Sequence, residues 1–308
     1  MSRTKSESPG GLSISAVERE SGLPKDTLRV WERRYGFPTP ARDPAGERIY
    51  SPDQVETLRL LRQLVDAGHR PGAIVGQSRD ELLRRLEREP APGSDDPEVL
   101  DLVDVLRREG PEGLHPRLTT LLHRHGLETF ARSLAPRMVQ AIGRGWADGS
   151  LGIHQEHVFT QQLTAVLREA IDRLAGAGRA GRPRVLLTTF PDEPHGLGLL
   201  MVEAVLVLGG ARAIPLGVQT PVHAIAAAAL DYCADVVALS LSAWSHARAS
   251  RESLADLRRR LPASMELWAG GSCAGLTDGN GVRVLRSLDA IDGELRRWRG
   301  ALPNETPS

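Results

Sequence analysis

Val185-Leu186-Leu187-Thr188-Thr189 leads through Phe190-Pro191-Asp192 into Glu193-Pro194-His195-Gly196-Leu197-Gly198, and that loop leads into Leu199-Leu200-Met201-Val202-Glu203-Ala204-Val205. A short apolar run, a Pro/Gly-punctuated stretch and a longer apolar run read as strand, loop and helix. A histidine in such a loop lies outside the carboxyl end of a strand, where open α/β sheets bind their ligands. Glu193, two residues earlier, suits a carboxylate that holds one imidazole nitrogen and leaves the other for a metal. His195 is therefore a candidate metal ligand, and the size of the domain around it suggests a large cofactor.

The same alternation continues downstream. Strands are expected at Ala211–Gly217, Val236–Ser242, Glu266–Ala269 and Val282–Leu285, separated by helical stretches near Leu199–Leu208, Val222–Tyr232, Ser250–Arg260 and Leu288–Arg299. This predicts a doubly wound, parallel, Rossmann-like α/β domain over residues 183–302. Upstream, from Glu98 to about Ala175, the pattern is helical only, with apolar residues at three- and four-residue spacings such as Leu118, Leu121 and Leu122. That predicts a four-helix bundle over residues 97–176. Before it, residues 12–86 hold short helical patterns rich in arginine. Glu87–Pro97 and Gly176–Pro183 read as linkers, and the Ser/Pro/Gly-rich residues 1–10 as disordered. No internal repeat is visible. A multi-domain chain is what 308 residues predict.

Charge is balanced, 39 Lys+Arg against 39 Asp+Glu, which excludes a protein that coats polyanions and makes any nucleic-acid contact local. Cys233 and Cys273 match no zinc spacing and fit free thiols in a reducing compartment. The polar start of the chain is no secretory signal, and no apolar run approaches the ~20 residues of a membrane span. A cytoplasmic protein without a membrane partner is expected.

Ser13–Gly22 reads as a short helix ended by glycine, and Leu23–Tyr35 as a second helix with Pro24 near its first turn. Two short helices about a tight turn make a helix-turn-helix. Leu28 and Trp31 face inward; Lys25, Arg29 and Arg33 form a second stripe, with Arg34 beside it. Arg42–Tyr50 has the composition of a β-hairpin wing carrying Arg42, Arg48 and Tyr50. Spacing alone leaves two readings open, a DNA-contacting face or a solvated one. The order of parts, including Leu28-Arg29-Val30-Trp31-Glu32-Arg33-Arg34-Tyr35-Gly36, resembles the MerR family of transcriptional regulators across residues 12–86. The resemblance implies a winged head bound as a dimer to a palindromic promoter site. Lys25, Arg29, Arg33, Arg34, Arg42, Arg48 and Tyr50 are the candidate DNA contacts. No cysteine lies in the head, which sets it apart from the metal-sensing branch.

Trp146, followed after nine residues by Glu156-His157, stands out in the helical middle. Singly, these read as a core tryptophan and a helix start with favourable acid placement. Their spacing resembles the cobalamin-binding, light-sensing regulators of the CarH/LitR type, and implies that Trp146, Glu156 and His157 enclose the 5′-deoxyadenosyl group of adenosylcobalamin. Glu193, His195 and Gly198 match the acid-x-His-x-x-Gly pattern of the cobalamin-binding fold of methionine synthase and its relatives. Ser240 and Gly270-Gly271 follow in that family's order. The resemblance implies that the dimethylbenzimidazole tail leaves cobalt and lies along the sheet. His195 replaces it as lower axial ligand, supported by Glu193; Ser240 meets the tail, and Gly198, Gly270 and Gly271 admit it closely. Two positions depart from the pattern. Ser242 stands where the family's Ser-x-Leu has leucine, and Ala147 follows the bundle tryptophan where light-sensing relatives can carry histidine. Recapture of the upper cobalt face would then fall to His154, His157 or water.

The function these resemblances imply is a light-responsive, adenosylcobalamin-dependent repressor rather than an enzyme. The dark oligomer, dimer or tetramer, binds operator DNA near carotenoid or other photoprotective genes and releases it after photolysis. The alternative is a MerR-type regulator acting without cobalamin photochemistry. A corrinoid-dependent methyltransferase component is disfavoured by the DNA-binding head.

Overall fold

The computed structural model describes residues 11–88, 96–175, 181–242, 245, 247–273 and 276–301. The expectations for residues 1–10 and for most of both linkers fall outside the described residues. None of the described helices is long and apolar enough to cross a membrane.

In the head, β1 (Leu12–Ser13) is followed by α1 (Ile14–Ser21) and α2 (Lys25–Tyr35). Ser13 caps α1 through its side chain, and Gly22 ends it at φ 64°, a left-handed turn that glycine takes without strain. Pro24 sits at the N-cap of α2, one position before its first turn. Strands β2 (Ala41–Arg42) and β3 (Arg48–Tyr50) form the wing hairpin, and β1 pairs with the other edge of β3. Then come α3 (Pro52–Asp66), α4 (Pro71–Ile74) and α5 (Arg79–Arg88). Val17, Leu23, Leu28, Trp31, Leu58 and Leu61 fill the core between them, as the inward-facing stripe predicts.

The helical middle begins with α6 (Pro97–Thr129), capped by Asp96 and interrupted where Gly110 and Gly126 leave helical conformation at φ 62° and 74°. Its last stretch runs on through a π-helical turn at Phe130–Leu134 into α7 (Ala135–Ala147), and α8 (Ile153–Ala175) follows. The two glycines thus divide the segment into the four helical stretches that the sequence predicts. His115 on α6 meets Gln162 on α8 at 2.8 Å, and Arg137 on α7 pairs with the α6 cap Asp96 at 2.6 Å.

The C-terminal domain alternates β4 (Arg184–Thr188), α9 (Leu197–Leu208), β5 (Arg212–Gly217), α10 (Val222–Asp231), β6 (Val236–Ser240), α11 (Ala247–Arg260), β7 (Glu266–Gly270), β8 (Val282–Leu285) and α12 (Ala290–Gly300). The five strands are parallel in the order β5-β4-β6-β7-β8. Burial on both faces explains why β4 and β6 read as near-continuous apolar runs. The order reverses at β4, with β5 on one side and β6 on the other. That is the switch point where loops from neighbouring strands part and leave a crevice.

Compactness groups the chain into two units. One gathers the head with residues 141–156; the other holds the remaining helical middle with the sheet domain. Three modules are therefore not equally separate. The reason on the head's side is Trp146, which is 7 % exposed and carries the guanidinium of Arg59 5.7 Å from its ring centre. Within the second unit the ties between helices and sheet domain are ion pairs. Arg168 on α8 donates to both oxygens of the buried Glu203 on α9 at 2.8 Å, and Arg132 reaches Asp292 on α12 at 2.7 Å.

Candidate functional site

The site is built at the switch point, in the loop between β4 and α9. Threonines at the strand end shape it. Thr189 donates to the Glu193 carbonyl at 2.6 Å and accepts from the Gln219 amide at 2.8 Å, which ties the loop to the one following β5. Thr188 donates to Gly217 O at 3.0 Å.

Glu193 is 2 % exposed and receives four donors. Its Oε1 accepts from the His195 amide at 3.1 Å and from His195 Nδ1. Its Oε2 accepts from the Ser242 amide at 2.8 Å and the Ser245 hydroxyl at 2.7 Å. Burial alone pushes this carboxyl up, but the His195 contact and the two serine donors outweigh it and hold the group down at about 2. Glu193 is thus a carboxylate at any physiological pH. It holds the imidazole through Nδ1, an arrangement that also orients metal-binding histidines. Ser242 and Ser245 are functional residues that the sequence reading missed. The serine that departs from the family's Ser-x-Leu meets Glu193 through its backbone amide and also through its side chain, and a leucine could not supply the second bond.

A cavity of about 230 Å³ opens between the sheet, α9 and α12, reached by the same loop at Gly198. Gly198, Ser240, Gly270 and Gly271 all line it, so four of the residues expected to receive the tail share one space. A side chain would be tight at Gly198 and Gly270 and would meet backbone at Gly271. A Cβ on Gly198 would stand 3.3 Å from Ser240 Oγ, one on Gly270 3.0 Å from Leu285 O, and one on Gly271 2.3 Å from Leu241 O. Gly271 also lies at φ 110°. Cys273 packs beneath the loop with Sγ 3.4 Å from Ser245 O, and burial pushes its thiol up. It packs against the loop as a buried thiol.

The three expected upper-face residues are divided between the units. Trp146 and Glu156 fall with the head, His157 with the sheet domain. Trp146 Nε1 is buried without a hydrogen-bond partner among the described residues. Arg59, whose guanidinium faces the ring, also binds the Glu20 carbonyl and carboxylate, and Arg62 donates to Gly22 O at 2.6 Å in the turn before the recognition helix. His154 and His157 are exposed on α8.

On the head, Arg33 and Arg34 are exposed. Arg29 is exposed and paired with Asp26 at 2.9 Å, Lys25 reaches Glu18 at 3.4 Å, and Arg42 donates to the wing carbonyl of Gly46 at 2.6 Å. Arg48 is half-buried against Glu32 at 2.8 Å. Tyr50 corrects an expectation: it is fully buried, so it is a core residue behind the wing and not a DNA contact. Alternation along β3 puts Tyr50 and Arg48 on one face, and the aromatic ring takes the interior.

Three comparisons bear on the chain. Residues 12–76 match the model of the MerR HTH family regulatory proteins. The HTH-type transcriptional repressor CarH of Myxococcus xanthus is 31 % identical over 273 residues, covering 85 % of this chain and 89 % of that one. The HTH-type transcriptional repressor CarA of the same organism is 30 % identical over 258 residues, covering 82 % and 83 %. Among solved structures, the monomethylamine corrinoid protein of Methanosarcina barkeri is similar over 63 % of this chain and 94 % of its own, at 14 % identity and a TM-score of 0.47. At that score the likeness carries no argument, and the fold stands on its own strand order.

Proposed function

Because this chain belongs to the family of HTH-type transcriptional repressors represented by CarH and CarA, we propose that it represses transcription in the cytoplasm under the control of adenosylcobalamin. The observation that carries the cofactor reading is the Glu193–His195 pair three residues ahead of Gly198, which shares one cavity with Ser240, Gly270 and Gly271. The donor set suits a corrinoid. A neutral imidazole oriented by a carboxylate is a cobalt ligand, and the cavity at Gly198 takes a flat tail lying along the sheet.

In this reading His195 would ligate the cobalt of the corrinoid. Glu193, anchored by Ser242 and Ser245, keeps the imidazole in one tautomer and raises its basicity. Gly198, Ser240, Gly270 and Gly271 receive the displaced tail. By resemblance, Trp146, Glu156 and His157 are the residues that would meet the adenosyl group. When bound, the cofactor supplies a cobalt–carbon bond that light breaks. The chain's part is to register the loss. Trp146 and Glu156 belong to the segment that packs with the head, so a change in what they touch reaches the helix-turn-helix directly. The head reads operator DNA with its exposed arginines on and beside α2. A homo-oligomer presents paired heads in the dark, and its affinity for the operator differs between the two states only by as much as the ligand distinguishes them.

The test is purification with adenosylcobalamin in darkness, followed by an absorption spectrum, size-exclusion profile and operator-binding assay before and after illumination. The expected result is bound corrinoid, a larger dark species and loss of DNA binding in light. Absence of bound corrinoid would overturn the cofactor reading; bound corrinoid with unchanged size and DNA affinity would overturn the switch.

A further inference from the structure

The cavity has a chemical gradient that follows from strand register. Paired residues on neighbouring strands face the same side. Ser240, Gly270 and Leu285 form one register row at the carboxyl ends of β6, β7 and β8. Two residues deeper on the same face lies the row Leu187, Ala238 and Trp268. Along α9, Gly198, Val202 and Leu206 line the wall at four-residue spacing, with Gly198 near Ser240 at the mouth and Leu206 deepest. The polar side chains of the lining are Ser240, Arg286 and Ser287, all at strand ends. The floor is carbon throughout, apart from one indole nitrogen, and that nitrogen is committed. Trp268 Nε1 donates to Glu266 at 2.8 Å, and Arg297 holds the same carboxylate from α12.

We infer that this floor makes the chain selective for the lower base of the corrinoid. It accepts a benzimidazole, whose outer ring is hydrocarbon, and rejects a purine. The inference rests on the reading that His195 displaces the tail into this cavity. An adenine tail would bring ring nitrogens and an exocyclic amine against Leu187, Ala238, Val202, Leu206 and the face of Trp268. Polar groups buried without a partner bind worse than carbon of the same shape. Trp268 cannot turn its donor to them without stripping Glu266 of one of its bonds. Trp268 and Ala238 are thus specificity-determining residues, the first supplying a flat apolar surface and the second the depth.

The test uses the full-length chain without cofactor, titrated in darkness with three corrinoids sharing one upper ligand: a benzimidazole tail, an adenine tail, and none. Dissociation constants and the visible spectrum are the readouts. The benzimidazole form is expected to bind about tenfold or more tighter than the adenine form, the penalty of one buried unpaired polar group. The adenine form should gain little over the tailless corrinoid. Ala238→Leu, which fills the floor with carbon, should remove most of the benzimidazole advantage, with tailless binding measured beside it to show that the domain is folded. Equal affinity for both tailed forms, or an advantage that survives Ala238→Leu, would overturn the inference. If the tailless corrinoid binds and His195→Ala leaves its spectrum unaltered, the ligand reading fails, and the selectivity falls with it.

Discussion

Replacing Glu193 by glutamine is the sharpest probe of the loop. The carboxylate accepts two donors on each oxygen: the His195 amide and Nδ1 on one, the Ser242 amide and Ser245 hydroxyl on the other. An amide keeps one acceptor oxygen and sets an NH2 group against donors, so two bonds are lost and their partners left facing another donor. Bonds to charged groups are worth about 1.5–3 kcal/mol each, which puts the cost at roughly 3 kcal/mol or more. The depressed carboxyl gives an independent figure. A fall from 4.5 to about 2 corresponds to roughly 3 kcal/mol at 1.36 kcal/mol per unit. A lowered carboxyl stabilises the fold fully above its unfolded value, and that stability is lost as pH falls toward the folded value. The unfolded chain takes up its proton first, so about 2 kcal/mol should be gone by pH 3 relative to pH 6. Glutamine has no such titration. Urea unfolding read by pulsed hydrogen exchange in peptides over β4 and β6 isolates this domain. The gap between wild type and Glu193→Gln should be about 3 kcal/mol at pH 6 and shrink to about 1 kcal/mol at pH 3. A gap that stays constant with pH would refute the charged, donor-saturated Glu193.

Other variants test the remaining parts. Arg33→Ala and Arg34→Ala, both exposed in the last turn of α2, should each weaken operator binding by about tenfold and lower its salt dependence, measured by fluorescence anisotropy across salt concentrations. Tyr50→Phe should leave operator affinity unchanged, and stability unchanged or raised by up to about 1 kcal/mol, because the buried hydroxyl has no partner among the described residues. Gly271→Ala, at φ 110° with its Cβ 2.3 Å from Leu241 O, should lower stability by about 2–3 kcal/mol in thermal melts without corrinoid, and should abolish corrinoid binding.

What the sequence made legible follows from range. The central strands β4, β6 and β7 are buried on both faces, so each is a short apolar run that stands out without knowledge of its neighbours, and four of the five strands match their expected bounds within one residue at either end. The fifth, β6, was carried on to Ser242, which lies instead in the loop and turns its amide to Glu193. Glu193 and His195 are close in sequence, and their contact could be read from the spacing alone. Ser245 is 52 residues from Glu193, and only the fold brings it there. The apolar floor was hidden for the same reason, since Leu187, Ala238 and Trp268 meet through register across three strands. Tyr50 was misplaced because a wing aromatic suits either a DNA face or a core, and local pattern does not decide between them. Trp146 is buried, and its packing against Arg59 of the head is a long-range contact with no local sign in the sequence.

The central claim is that His195, not the cofactor's own tail, ligates cobalt from below. Electron paramagnetic resonance of the chain loaded with the cobalt(II) form of cobalamin tests it most directly. Protein grown with 15N-labelled histidine should change the axial nitrogen splitting from a triplet to a doublet, and His195→Ala should abolish the labelled signal. A triplet that persists in the labelled protein would place the benzimidazole nitrogen on cobalt and contradict the account.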